Sequence, residues 1–262
     1  MDQLTAPRSS DRHSAISRLT QSVVAAVESA HVGTGPFYHL QLSNIFPHDT
    51  YAAMLAALPS SEDYRPMRGR SKTADQTRVK IDLFPEYIRH LPPEKFAVWS
   101  QLGATLCSEQ VKNAFREMLA PALERRFGKD FRSVGMFPIP VLTRDIPGYL
   151  IVPHTDTHWK GITVQLYLPK DESAIDIGTI FHERLPDGSM PKTRQMRFAP
   201  NSGYAFAVGD DTWHSADPVH NGVKTRDSIL LTYFVDQGPL RMLRNRGKRV
   251  GNFIQNELRN LI

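Results

Sequence analysis

Cysteine is almost missing from this chain of 262 residues: a single residue, Cys107, rules out an intramolecular disulfide and leaves stability to packing. One thiol is also the usage of a reducing compartment. No apolar run is long enough to cross a bilayer, and the start Met1-Asp2-Gln3-Leu4-Thr5-Ala6-Pro7-Arg8 lacks the apolar centre of a secretory signal, so a cytoplasmic location is the expectation. There is no internal repeat, low-complexity tract or glycine-rich phosphate loop, which sets aside solenoid architectures and P-loop chemistry. A surplus of acid is missing too. Lysine and arginine number 32 against 27 aspartates and glutamates, a formal charge of +5 that suits an acidic substrate. The basic cluster Arg241, Arg244, Arg246, Lys248 and Arg249 has no interleaved aromatics, so it reads as a solvated helix face; no nucleic acid or membrane partner is expected.

What remains is ordinary composition in a length that can bury a substantial core as a single domain, 1–262. Residues 1–13 are polar and expected to be disordered. Apolar spacing predicts a helix over Ser14–Ser29, then an extended segment Gly35–Leu42 and a helix Thr50–Leu58. Residues 61–82 are charged and irregular, as suits a lid or substrate loop. Arg70 and Arg78 within them read as solvated loop charges, with substrate contact as the alternative. Over 93–127, Trp99, Leu102, Leu106, Val111, Phe115, Leu119 and Leu123 recur at helical spacing, divided near Ser108-Glu109. Strands follow from Val134 to Pro169, a long connection spans Asp171–Pro200, strands resume to Asp236, and Arg241–Ile262 returns to helix. Residues 14–130 thus read as mainly helical support and lid, 131–236 as the strand-rich body and 237–262 as a C-terminal helix.

Chemistry concentrates at His154-Thr155-Asp156. On an extended strand, residues two apart share a face, so His154 and Asp156 can grip one metal while His214 approaches from a facing strand. Two imidazoles and one carboxylate leave half an octahedron open, the ligand set of non-haem Fe(II) oxygenases rather than of closed structural zinc. His158 extends the pattern to His-x-Asp-x-His and with it a local zinc or manganese site, but Thr157–Gly161 reads as a loop. The flanking segments Gly148–Pro153, Ile162–Pro169, Gly203–Val208 and Ser228–Val235 each read as strands, with Thr212-Trp213-His214 opening another. His182 and His220 read as loop histidines.

The blocks Pro153–Asp156, Thr163–Leu168, Gly178–Phe181, Gly203–Phe206, Trp213-His214 and Arg226–Phe234, in that order across residues 135–236, resemble the Fe(II)/2-oxoglutarate-dependent dioxygenases, in their prolyl-hydroxylase-like branch. The resemblance implies a double-stranded β-helix, a jelly-roll barrel with cupin-like form, braced by helices at both termini. It implies His154, Asp156 and His214 as metal ligands and catalytic centre, Arg226 as the anchor for the distal carboxylate of 2-oxoglutarate, and Tyr167 as its assistant, with Thr163 and Gln165 on the same strand face. Lys224 competes for the anchor role; the Ile-Leu-Leu-Thr-Tyr-Phe run aligned with Arg226 favours the arginine. Fe(II), 2-oxoglutarate and O2 would then be the cofactor and co-substrates, with succinate and CO2 released. Asp156 argues against halogenation, because halogenating relatives have a small residue there.

A hydroxylase acting on a free amino acid, sugar derivative or natural-product intermediate is the expected activity; a peptidyl hydroxylase and a non-catalytic cupin-like metal-binding or sensing module are the alternatives. Desaturation, cyclisation and epimerisation start from the same ligand set. Arg144 on a predicted strand is either a substrate contact or half of an ion pair with Asp145 or another carboxylate. Trp159 and Trp213 flank the pocket as walls or as stacking platforms. A monomer and a homodimer both fit.

Overall fold

The computed structural model describes residues 9–67, 77–219, 222 and 224–236. Residues 1–8, Arg70, His220 and the stretch 237–262 lie outside them, so the expectation of disorder over 1–13 meets the structure only at 9–13, which belong to a helix that starts five residues before the expected Ser14. In chain order the elements are α1 (Ser9–Glu28), β1 (His31–Gly33), β2 (His39–Ser43), α2 (His48–Ala56), β3 (Arg65–Pro66), β4 (Arg78–Asp82), α3 (Pro85–Ile88), α4 (Pro93–Leu106), α5 (Glu109–Met118) and α6 (Ala120–Phe127). They continue with β5 (Met136–Asp145), β6 (Ile151–His154), β7 (Lys160–Tyr167), β8 (Ile180–His182), β9 (Lys192–Gln195), β10 (Ser202–Ala207), β11 (His214–Ala216) and β12 (Arg226–Val235).

The strands form two antiparallel sheets. The larger has the order β1-β2-β10-β7-β12-β5-β4-β3 and the smaller β6-β11-β8-β9. Its backbone is the ten-residue ladder of β12 on β5, from Arg226↔Asp145 to Val235↔Met136. Alternation divides this sheet cleanly. Leu142, Ile162, Val164, Leu166, Ala205, Ile229, Leu231 and Tyr233 face the helices and share one core with them. Tyr167, Tyr204 and Phe206 face the other way and pack with Phe181 of the smaller sheet, whose ring lies 5.2 Å from Tyr204 and 5.9 Å from Phe206. The two sheets therefore lie face to face, and the helices cover one outer side.

Helix formation follows the apolar spacing. Leu19, Val23, Ala26 and Val27 of α1 are buried where it packs on α4 and α5. Trp99 is fully buried, its indole N–H held at 2.7 Å from the Ala57 carbonyl. The Ser108 hydroxyl accepts from the Val111 amide and starts α5 at the expected division. A second division appears at Leu119, because Pro121 has no amide to continue α5 and is tolerated only in the first turn of a new helix. Pro153 is likewise admitted because β6 is an edge strand.

Three expectations change. The segment 61–82 is not wholly irregular: β3 and β4 lie in it and extend the large sheet beside β5. The connection 171–200 carries β8 and β9, half of the smaller sheet, so His182 is a strand residue bonded to Ser215 at 2.7 Å rather than a loop histidine. The strand expected from Gly148 starts only at Ile151, since Gly148 has φ +89° and turns the chain after β5. Among the described residues no helix is long and apolar enough to cross a membrane.

Candidate metal centre and anion anchor

β6 and β11 pair so that His154 and His214 stand directly opposite one another, with ring centroids 4.3 Å apart. Asp156 follows just past the end of β6, and one ligand atom from each of the three residues lies within 4.8 Å of the others. A carbonyl oxygen only accepts, so the contacts His154 Nδ1 to Val152 O and His214 Nδ1 to Thr212 O, both 3.0 Å, place a proton on each Nδ1. With Nδ1 carrying a proton, the nitrogen left to bind a metal on each ring is Nε2. Both rings are buried, and both oxygens of Asp156 are engaged: Lys160 Nζ at 2.5 Å and Thr163 Oγ1 at 2.6 Å. Burial pushes the Asp156 carboxyl up, but Lys160 and His214 outweigh it and hold the group well below the usual carboxylate range. Two imidazoles and an ionised carboxylate on one face suit Fe(II), and three protein ligands leave positions open for other donors. His158 is exposed on the turn before β7, its ring edge against Trp159, and takes no place in the group.

Beyond Thr163 on β7, a cluster of hydrogen-bonded polar side chains surrounds Gln165. Gln165 accepts from Tyr204 Oη at 2.8 Å and donates to Ser228 Oγ at 2.9 Å, which meets Thr143 Oγ1 at 2.9 Å. Thr179 of the facing chain bonds Tyr204 at 3.0 Å and Tyr167 at 3.2 Å. Burial raises both phenols, so they remain neutral donors. Gly178 permits this approach: a Cβ there would lie 1.7 Å from the Met196 carbonyl oxygen.

Two residues before Ser228 on β12 stands Arg226, only 1% exposed. Its Nε and Nη2 lie 3.0 and 2.9 Å from Asp145 Oδ2, and Nη1 donates to the Ile177 carbonyl at 2.5 Å. Lys224 is exposed and precedes the ladder, so the buried cation at this end is the arginine. Tyr167 shares its face but bonds Thr179 rather than Arg226. Arg78, expected as a solvated loop charge, is buried on β4 and forks onto the same carboxylate, Nε to Oδ1 at 2.5 Å and Nη2 to Oδ2 at 2.8 Å.

Arg144 sits one residue from Asp145 and so on the opposite face. It pairs there with Asp227 at 2.7 Å and lies over Tyr64, which identifies its carboxylate partner. Trp159 stands 44% exposed on the turn rather than in a wall, and Trp213 is half-buried with Arg184 5.4 Å from its ring.

Sequence spacing missed two residues. Lys160 is one helical-type step from Asp156, and nothing local marks it as a partner. Arg126 of α6 reaches across the fold to donate to the carbonyls of Lys160 (2.7 Å), His158 and Val208, clasping the turn after Asp156 to the end of β10. For Arg78 a signal existed. Arg78-Val79-Lys80-Ile81-Asp82 alternates with period two, but its charged face points into the protein.

No family model and no curated protein matches the sequence. Solved structures do. A prolyl-4-hydroxylase from Pseudomonas putida superposes with TM-score 0.50 over 82% of this chain and 98% of its own, at 14% identity. The alpha-ketoglutarate-dependent epimerase SnoN from nogalamycin biosynthesis gives TM-score 0.49 over 83% of each chain at 12% identity. A Trichoplax adhaerens prolyl hydroxylase solved with a peptide fragment gives 0.44 over 87% of this chain and 94% of its own, at 12% identity. The chain therefore has the fold of a prolyl-4-hydroxylase.

Proposed function

We propose that this protein is an Fe(II)- and 2-oxoglutarate-dependent oxygenase, built on a double-stranded β-helix, that oxidises a small molecule. The observation that carries the reading is the pairing of two features in one fold: the His154, Asp156 and His214 group, and the buried Arg226 cation on the strand that pairs with the Thr163 to Tyr167 stretch. A barrel that merely held a metal would have no need of a guanidinium sequestered so far from it. Bound at the triad, Fe(II) supplies the dioxygen chemistry by which 2-oxoglutarate gives succinate and CO2 as the substrate is oxidised.

The protein's own contributions are positional. The backbone carbonyls of Val152 and Thr212 fix the imidazole tautomers. Thr163 fixes one oxygen of Asp156 and so the direction in which the other points. Arg226, held by Asp145 and the Ile177 carbonyl, offers its remaining N–H groups and its buried charge to a carboxylate. Thr163, Gln165, Tyr167 and Tyr204 line the space between and orient what enters it. A reducing cytoplasm suits both Fe(II) and the lone thiol of Cys107.

The test is Fe(II)-dependent succinate formation from 2-oxoglutarate across a panel of amino acids, sugar derivatives and proline-containing peptides, with product masses to separate hydroxylation from desaturation. Stimulation by a small molecule and its loss in Asp156→Ala support the reading. Stimulation by peptides alone assigns a peptidyl hydroxylase, and metal binding without succinate from any substrate assigns a binding module.

A further inference from the structure

Arg226 is one member of a row that crosses three strands: Arg226 on β12, Asp145 on β5 and Arg78 on β4 are register partners. Asp145 is fully buried, and the guanidinium faces of Arg226 and Arg78 both lie against the Tyr149 ring, with centroid distances of 5.2 and 4.3 Å. Burial alone would pull the Arg78 pKa down; the Asp145 carboxylate outweighs it and holds Arg78 above its ordinary value. The same two arginines hold Asp145 below its ordinary value against its own burial. All three groups are charged, and two cations share one anion.

The balance decides what Arg226 can attract. With Asp145 alone beside it, Arg226 would belong to a neutral pair and would exert little pull on an arriving carboxylate. Arg78 engages both oxygens of Asp145, and the row then carries one net positive charge in a poorly screened interior. We propose that Arg78 is a positioning residue that neutralises Asp145, so that Arg226 presents a full positive charge to the distal carboxylate of a dicarboxylate co-substrate. This rests on the oxygenase reading. It differs from a bracing role, in which Arg78 only ties β4 to β5.

A charge-balance series separates the two. Arg78→Met brings the row to zero, Asp145→Asn to two positive charges, and the double variant returns it to one. Binding of 2-oxoglutarate is measured anaerobically on the full chain with Mn(II) bound, by calorimetry, beside Mn(II) affinity itself. Arg78→Met should weaken 2-oxoglutarate by about tenfold or more, a loss of roughly one factor-of-ten step in free energy. The double variant should recover to near the parent value, and Mn(II) affinity should stay constant throughout. A double variant as weak as Arg78→Met, or an Arg78→Met variant that binds normally, overturns the inference. If Arg78→Met does not fold, Asp145→Asn and the double variant carry the comparison: tighter binding by Asp145→Asn supports the inference, and equal binding overturns it. A parent protein that binds Mn(II) but not 2-oxoglutarate instead overturns the oxygenase reading itself.

Discussion

Replacing Arg126 by methionine keeps most of the side-chain stem and removes the donors that reach the carbonyls of His158, Lys160 and Val208. Hydrogen bonds from a charged donor contribute about 1.5–3 kcal/mol each when buried. Arg126 is half-buried and burial already lowers its pKa, so water will take over part of this role on its loss. A net cost of about 2–4 kcal/mol follows. For a chain of this size that is a fall in melting temperature of roughly 4–7 °C, read by calorimetry. Because the clasped turn directly follows Asp156, Mn(II) affinity should fall alongside, since the metal must then order the turn itself. An unchanged melting temperature would refute the clasp. A lowered melting temperature with unchanged Mn(II) affinity would refute its connection to the ligand.

Asp156→Asn should lose metal binding by calorimetry while keeping the fold, because an amide oxygen cannot replace the carboxylate charge; retained Mn(II) affinity would argue against Asp156 as a ligand. Arg144→Met should cost about 3–5 kcal/mol by stranding Asp227, and Arg144→Met/Asp227→Leu much less, both read by urea unfolding. The pKa of Asp145 is depressed on folding, so its contribution is present above the unfolded value of about 3.9 and is lost as pH falls through the lower folded one. An Asp145→Asn variant should therefore show a flatter acid limb in stability against pH, and an identical limb would contradict the shift. Gly178→Ala forces the Thr179 chain off the Met196 carbonyl and should unfold β8 from β9, visible as lost amide protection at Met196, whose N–H bonds the Thr179 carbonyl.

The cluster of His154, Asp156 and His214 was legible because the spacing of its first two members is local. His154 and Asp156 lie two residues apart, and the strand runs around His214 and Arg226 carry their own β pattern. The helices were legible from apolar recurrence, down to the Ser108 cap, whereas Pro121 was a stop signal left unread. The rest depends on pairing across the sheet. Nothing in the sequence around Arg78 says that Asp145 will lie opposite it, and charged residues in a short alternating run look like a solvated face until the second sheet covers them. β8 and β9 escaped notice for a related reason: three and four residues, one of them fully exposed along its length, leave too little period to recognise. Arg144 and Asp145 show the cost of a single step, since adjacent residues went to opposite sides of the same strand.

That parity gives β12 two separate duties. Asp227, Ile229, Leu231 and Tyr233 answer to the helical layer, while Arg226, Ser228, Leu230 and Thr232 answer to whatever occupies the interior. A substitution in the first set is felt as lost packing against the helices, whereas one in the second disturbs the buried polar groups around Asp145 and Gln165. A single ten-residue strand thus serves two masters in alternation, one outside the sheet and one within.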